Sequence, residues 1–242
     1  MINKGVTYLL YGLAITAMVA LMGFANYRHN SKTVSGVEIK VLDYDSIKFI
    51  NEEVVSKMVA LTYDSLTYRI SNSINVSLLE NEVERLSSVE KADVFIDIEG
   101  RLAVNVIQRK PIGRIITSKY NCYIDERGEK MPLSQLFTLN VPLIDGKVND
   151  ENLYEIFSLL DYIRNNSVLK EQIVSIKVDK YNEYEFRTRK GNQVIEFGKA
   201  TDIERKFDKL LIYYRKTVSD FGWERYKKIN LEYANQVVCT KR

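Results

Sequence analysis

The chain has 242 residues, 45% apolar and 11% aromatic, with 16 Tyr and only 3 Pro, a composition that excludes a disordered chain and suits folded domains rich in strands. Its 35 basic and 32 acidic residues are interspersed and leave a net charge of +3, so there is no basic stripe of the kind that tracks a nucleic acid. Cys122 and Cys239 are the only cysteines and match no metal motif, which sets zinc and haem aside; a disulfide between them and two free thiols are both open.

Taken in order, the chain begins with an apolar run. Between Lys4 and Arg28 there are 23 consecutive residues without a charge, and Val6 to Ala25 reads VTYLLYGLAITAMVALMGFA. At ~1.5 Å of rise per residue, twenty helical residues span roughly 30 Å, the thickness of a bilayer's hydrocarbon core. The run predicts a transmembrane helix, with Tyr8, Tyr11 and Tyr27 near the headgroups. The alternative is a cleaved signal peptide, with Lys4 as its positive start and Gly23-Phe24-Ala25 as its cleavage site, but a signal core of ~7 to 15 residues is shorter than this run. Orientation stays open, because Lys4 and the α-amino group on one side nearly balance Arg28 and Lys32 on the other.

Asn26 to Ser35 is polar and reads as a linker; Val37 to Val41 alternates as a half-buried strand. Asn51 is placed to cap a helix whose Val54, Val55, Met58 and Val59 share one face, with Glu52 and Glu53 as helix-start charges. Thr62 to Asn75 has weak periodicity and reads as a long connection. Ser77-x-x-Glu80 is a capping-box pattern that starts a second helix near Leu78, with Leu79, Val83 and Leu86 as its buried stripe. Two strands follow. Ala92 to Ile98 puts Val94, Ile96 and Ile98 on one face, Leu102 to Gln108 does the same with Leu102, Val104 and Val106, and Glu99-Gly100 supplies the turn. The order is β-α-α-β-β.

Here the residues carry a resemblance. Ile74 to Ile115, INVSLLENEVERLSSVEKADVFIDIEGRLAVNVIQRKPIGRI, resembles the end of the POTRA domain of the bacterial FtsQ/DivIB cell-division family. The likeness lies in the helix with Leu79 and Val83, in Val89 and Ala92-Asp93-Val94, in the Gly100 turn and in the junction Gln108-Arg109-Lys110-Pro111-Ile112.

Pro111, lacking an N–H for the ladder, reads as ending a strand at a domain boundary. Beyond it come Tyr123-Ile124-Asp125, a Gly128 turn, the run Val141 to Ile144, and a helix from about Glu151 to Arg164 that turns Leu153, Ile156, Phe157, Leu160 and Ile163 to a core. Asp125 and Glu126 read as solvated turn charges. Three strands follow, Ile173 to Asp179, Tyr184 to Thr188 and Gln193 to Phe197, with a turn at Lys190-Gly191-Asn192. Thr201-x-x-Glu204 reads as a second capping box, before a helix whose inner face is Ile203, Phe207, Leu210, Leu211, Tyr214 and Val218. Two extended pieces, Ile229 to Tyr233 and Gln236 to Cys239, split by Ala234-Asn235, finish a sheet.

The expected fold is therefore α+β: a single N-terminal transmembrane helix, a POTRA domain, and a second strand-rich domain. The resemblance implies a tail at 1–5 in the cytoplasm, the span at 6–25, a linker at 26–36, the POTRA domain at 37–110 and an FtsQ-type β domain at 111–242. It implies a non-enzymatic divisome protein of the cytoplasmic (inner) membrane, with its N-terminus inside and its bulk outside, concentrated at the septum. It also implies FtsB/DivIC-like and FtsL-like partners, with other divisome components on the POTRA domain. The expected partner-binding residues are Tyr233, Ala234, Asn235, Gln236, Val237, Val238 and Cys239, acting by strand addition; Gln108, Arg109, Pro111 and Ile112 form the domain junction. Those strands read equally as plain core strands.

No cofactor, metal, nucleic acid or small-molecule substrate is expected, since there is no phosphate loop, metal pair or nucleophile elbow. His29, the only histidine, reads as a solvated residue beside the membrane. A sortase-like transpeptidase is the enzyme alternative, because Cys239-Thr240 with Arg242 superficially resembles that ending; His29 would have to reach the thiol from the membrane end of the chain. A POTRA-type docking module for protein translocation is the other, but the residues after Pro111 hold too few long alternating strands for an outer-membrane barrel.

Overall fold

The structure, a computed structural model, describes residues 4–30, 33–63 and 73–242, and at 4–10, 25–30 and 219 the backbone alone. Part of the predicted 62–75 connection, residues 64–72, lies outside the described residues. Helix α1 (Lys4–Asn30) runs further than the predicted span and takes in much of the stretch read as a linker, because nothing from Asn26 to Asn30 is a Pro or Gly that would stop it. Among the described residues no helix is long and apolar enough to cross a membrane. The side chains described in α1 are those from Tyr11 to Phe24, about 21 Å of helix, and all are exposed.

Two compact units divide between Gln108 and Arg109. In the first, β1 (Gly36–Val41), α2 (Glu52–Thr62), α3 (Val76–Glu84), β2 (Val89–Ile96) and β3 (Arg101–Gln108) follow one another. The sheet order is β1-β3-β2, with β1 parallel and β2 antiparallel to β3. Alternation along β3 buries Leu102, Val104 and Val106, and the helices cover that face with Val55, Val59, Leu79 and Val83.

The caps differ in part from the pattern. Asn51 caps α2, its side chain accepting from Val54 N–H at 3.0 Å. In α3 the cap is Asn75, accepting from Leu78 N–H at 3.1 Å, and not Ser77. Glu80 is thereby released from the expected box. It and Glu84 reach β2 instead, accepting from the N–H groups of Val94 at 3.0 Å and Ala92 at 3.1 Å, along the side of β2 away from β3. Ile98 is 89% exposed and not on the inner face, because β2 stops at Ile96 where Asp97 takes the N–H groups of Glu99 and Arg101 to form the turn. Gly100 completes that turn at φ +83°, where a Cβ would lie 3.1 Å from the Thr33 carbonyl.

The second unit has a nine-stranded mixed sheet, in the order β12-β11-β10-β9-β8-β7-β4-β5-β6. Its strands are β4 (Pro111–Ile116), β5 (Asn121–Asp125), β6 (Lys130–Met131), β7 (Leu143–Gly146), β8 (Ile173–Val178), β9 (Tyr184–Thr188), β10 (Val194–Gly198), β11 (Tyr226–Asn230) and β12 (Val238–Lys241). Pro111 opens β4 and does not end a strand: at the first position a missing N–H costs no ladder bond. Helices α4 (Leu153–Arg164), α5 (Ser167–Gln172) and α6 (Ile203–Tyr213) cover one face, and α6 continues through Tyr214–Val218 wound as a π-helix. Alternation sends Ile176, Phe186, Ile195, Phe197 and Ile229 to that face and leaves Lys177, Glu185, Arg187, Glu196 and Lys228 on the other. α4 approaches β4 closely at Gly113, where a Cβ would come within 2.6 Å of the Leu160 side chain.

Thr201 does not cap α6. The N-cap is Asp202 at φ 50°, with no side-chain cap bond, so this helix is held by packing. Phe207 supplies it, stacked on Tyr162 at 5.0 Å and set against Phe186 at 5.6 Å and Phe197 at 5.0 Å.

Gln108, 1% exposed, ends the first unit as a four-way connector. Its Oε1 accepts from the N–H groups of Phe49 at 3.0 Å and Ile50 at 3.2 Å, and its Nε2 donates to the carbonyls of Leu42 at 3.2 Å and Ile47 at 2.7 Å. Gln108→Leu strips these groups of their partner and is expected to lower the stability of this unit by about 3 kcal/mol or more. Faster amide exchange at Phe49 and Ile50 and a lower urea midpoint measure it.

Candidate functional site

The last two strands end the large sheet. β11 pairs parallel with β10 on one side and antiparallel with β12 on the other, through Lys228↔Thr240, Ile229↔Cys239 and Asn230↔Val238. Arg242 N–H donates to the Arg225 carbonyl at 3.3 Å, so by strand alternation Val238, Thr240 and Arg242 turn their backbone groups to β11. The backbone groups of Cys239 and Lys241 therefore point away from the sheet. Among the described residues no side chain covers this edge as Glu80 and Glu84 cover β2. The opposite edge, β6, is two residues long.

The predicted partner-binding residues divide between two structures. Tyr233 to Val237 form the connection between β11 and β12, and only Val238 and Cys239 lie in the strand, which runs on to Lys241. Tyr233 is 52% exposed, and Ala234, Asn235 and Gln236 are exposed. Val237 and Cys239 turn inward and pack on the core; Val238 is 43% exposed on the outer face. The terminal Arg242 donates to the Gly191 carbonyl and pairs with Glu224 at 3.4 Å.

Basic residues of α6 reach this connection. Lys209 Nζ donates to the carbonyls of Leu231 at 2.8 Å and Tyr233 at 2.6 Å, and Arg205 donates to that of Ala234 at 2.9 Å. Lys206, 8% exposed, donates to the carbonyls of Phe197 at 2.9 Å and Lys199 at 2.7 Å. Sequence reading missed Arg205, Lys209, Thr240 and Lys241. The one available signal was the Arg205/Lys209 pair at i, i+4 on the edge of an otherwise amphipathic helix.

The predicted junction residues serve their own units. Arg109 Nε donates to Asp125 Oδ2 at 2.8 Å, and Asp125 Oδ1 accepts from the N–H groups of Arg127 at 3.0 Å and Glu129 at 2.8 Å. Asp125 is 2% exposed, so it is no solvated turn charge: a guanidinium and two amides replace its water. Glu126 pairs with Arg164 at 2.8 Å. Pro111 and Ile112 are buried at the start of β4.

Chemistry is sparse. Among the described residues no group of three or more His, Cys, Asp or Glu is arranged to hold a metal ion. A cleft of about 870 Å³ lined by Ile112, Leu139, Pro142, Arg164 and Arg189 has its Arg164 engaged by Glu126 and Asp161 at 2.8 Å each. The side chain of His29 lies outside the described residues. Burial pushes the Cys239 thiol up from its usual range, against the pull of its hydrogen bond with Tyr213, which is the reverse of what a thiolate nucleophile needs. Burial raises the Cys122 thiol as well, Lys130 opposing it.

The second unit is thus a sheet of mixed topology with helices on one face and β12 at one edge. The family described as FtsQ/DivIB, C-terminal related, matches residues 110–240, just over half of the chain, and the chain belongs to that family. The match is to this related family and covers the second unit, whereas most of the residues that suggested the likeness, Ile74 to Ile115, lie in the first. Comparison with curated proteins returned no match.

Cys122 and Cys239 are both free thiols. They sit on β5 and β12, seven strand spacings apart, or roughly 34 Å at ~4.8 Å per spacing, far beyond disulfide reach. Mass spectrometry after alkylation under non-reducing, denaturing conditions is expected to find both thiols labelled; a linked peptide pair would contradict the strand order.

Proposed function

We propose that this protein is a non-enzymatic, membrane-anchored assembly protein of the bacterial division machinery, binding FtsB/DivIC-like and FtsL-like bitopic partners and linking early division proteins to septal peptidoglycan synthesis. Family membership supports the setting. The observation that carries the mechanism is the bare outer side of β12, where the N–H and C=O groups of Cys239 and Lys241 are aimed away from the sheet. A partner segment completes the ladder there, and alternate side chains meeting Val238 and Thr240 give it selectivity.

In this reading Val6 to Ala25 spans the inner membrane with the N-terminus in the cytoplasm, and both units lie outside, at the septum. The exposed apolar side chains of α1, among them Leu13, Ile15, Val19, Leu21 and Phe24, support it, since the stretch from Tyr11 to Phe24, exposed throughout, suits lipid better than water. A long domain crosses largely regardless of flanking charge, which removes Arg28 and Lys32 as an obstacle. The first unit acts as a POTRA domain that docks further divisome components. The β-α-α-β-β order and the parallel β1–β3 pairing support that reading.

Two measurements test it. Lys241→Pro removes one outward N–H while leaving the bonds of Thr240 and Arg242 to β11, and is expected to weaken capture of the FtsB/DivIC-like partner about tenfold; Lys241→Thr, which keeps the N–H, retains capture. Truncation before Gln236 abolishes it. Equal capture by all three variants would sink strand addition. A fluorescent fusion of the full chain is expected to concentrate at the division septum, and diffuse membrane fluorescence would count against the divisome role.

A further inference from the structure

The connection from Leu231 to Val237 has little apolar hold on the domain. Leu231 is fully buried and Val237 is half-buried, but Glu232 to Gln236 are all exposed. At its start the Leu231 N–H donates to the Glu196 carbonyl at 2.8 Å and the Glu232 N–H to Asn230 Oδ1 at 2.9 Å; the side chains that hold its carbonyls come from one helix. Lys209 bridges the carbonyls of Leu231 and Tyr233, and Arg205, one turn earlier, takes that of Ala234. Lys206, between them, ties the end of β10 and the residue after it through Phe197 and Lys199. β10 is the strand on which β11 pairs.

This arrangement works against the helix that carries it. Like charges at i, i+4 repel, and burial together with the Arg205 charge pulls Lys209 below the usual lysine range. The partners are main-chain carbonyls, so the three cations gain hydrogen bonds without a carboxylate in the contacts. α6 is seated on the sheet by Phe207 and Leu210, both fully buried. The contacts of Arg205 and Lys209 fall on the connection that leads into the strand that follows.

We infer that Arg205 and Lys209 are positioning residues of the docking edge: they hold the β11–β12 connection by its carbonyls and so fix where β12 begins and how Tyr233 is displayed to an added strand. The inference rests on the docking reading of β12. It assigns α6 a second task, separate from covering the sheet.

The test uses the full chain and the purified FtsB/DivIC-like partner as probe. In Lys209→Met, amide exchange across 232–238 is expected to quicken while exchange in β8, β9 and α6 stays unchanged, and partner capture falls about tenfold. Arg205→Met shifts both readouts the same way. Lys209→Arg, which keeps a cationic donor, restores protection and capture. Unchanged exchange at 232–238, or capture equal to wild type in both Met variants, overturns the inference while leaving strand addition standing. A purely structural role predicts faster exchange throughout the second unit, and that result overturns it too. Wild-type protein that captures no partner removes the docking reading and this inference with it.

Discussion

The large sheet depends on how Phe207 is seated. Its ring lies against Tyr162 of α4 and against Phe186 and Phe197 on neighbouring strands, all within 5.6 Å, so one side chain joins two helices to the middle of the sheet. Such pairs contribute about 0.5–1.5 kcal/mol each beyond the area they bury. α6 has no side-chain cap, and this contact substitutes for one. With the helix fixed, its basic side lies over the β11–β12 connection, and the final strand follows from that. Order at the rim is thus set by packing at the centre.

Much of this was legible where a single physical rule governs a stretch. The alternation of Leu102, Val104 and Val106 identifies β3, and the spacing of Ile156, Leu160 and Ile163 identifies α4, because burial on one face imposes the period. The rule fails where a competitor stands nearby. Ser77 and Thr201 satisfy the capping pattern, yet Asn75 and Asp202 occupy the cap positions, and Glu80 finds a better partner in the N–H of Val94. Asp125 was misread for a related reason: the sequence around a turn does not reveal that Arg109, sixteen residues earlier in the chain, arrives to neutralise it. α5 went unseen because six residues are too few to display a helical period.

The candidate site was legible in outline only. Its location at the C-terminus followed from the apolar Val237-Val238 pair and the family likeness. Its strand lies two residues further on, because pairing with Lys228 and Tyr226 draws Thr240 and Lys241 into the ladder although neither is apolar. The part played by Arg205 and Lys209 was out of reach. Their partners are carbonyls, which every residue carries and no sequence pattern marks.

The two sheets manage their open sides in opposite ways. In the small sheet, Glu80 and Glu84 already occupy the donors of Val94 and Ala92, so the outer side of β2 is a poor template for a second copy of the chain. An uncovered strand edge is open to unwanted pairing with another copy of the same chain. Two carboxylates on α3 close one such route in the small sheet.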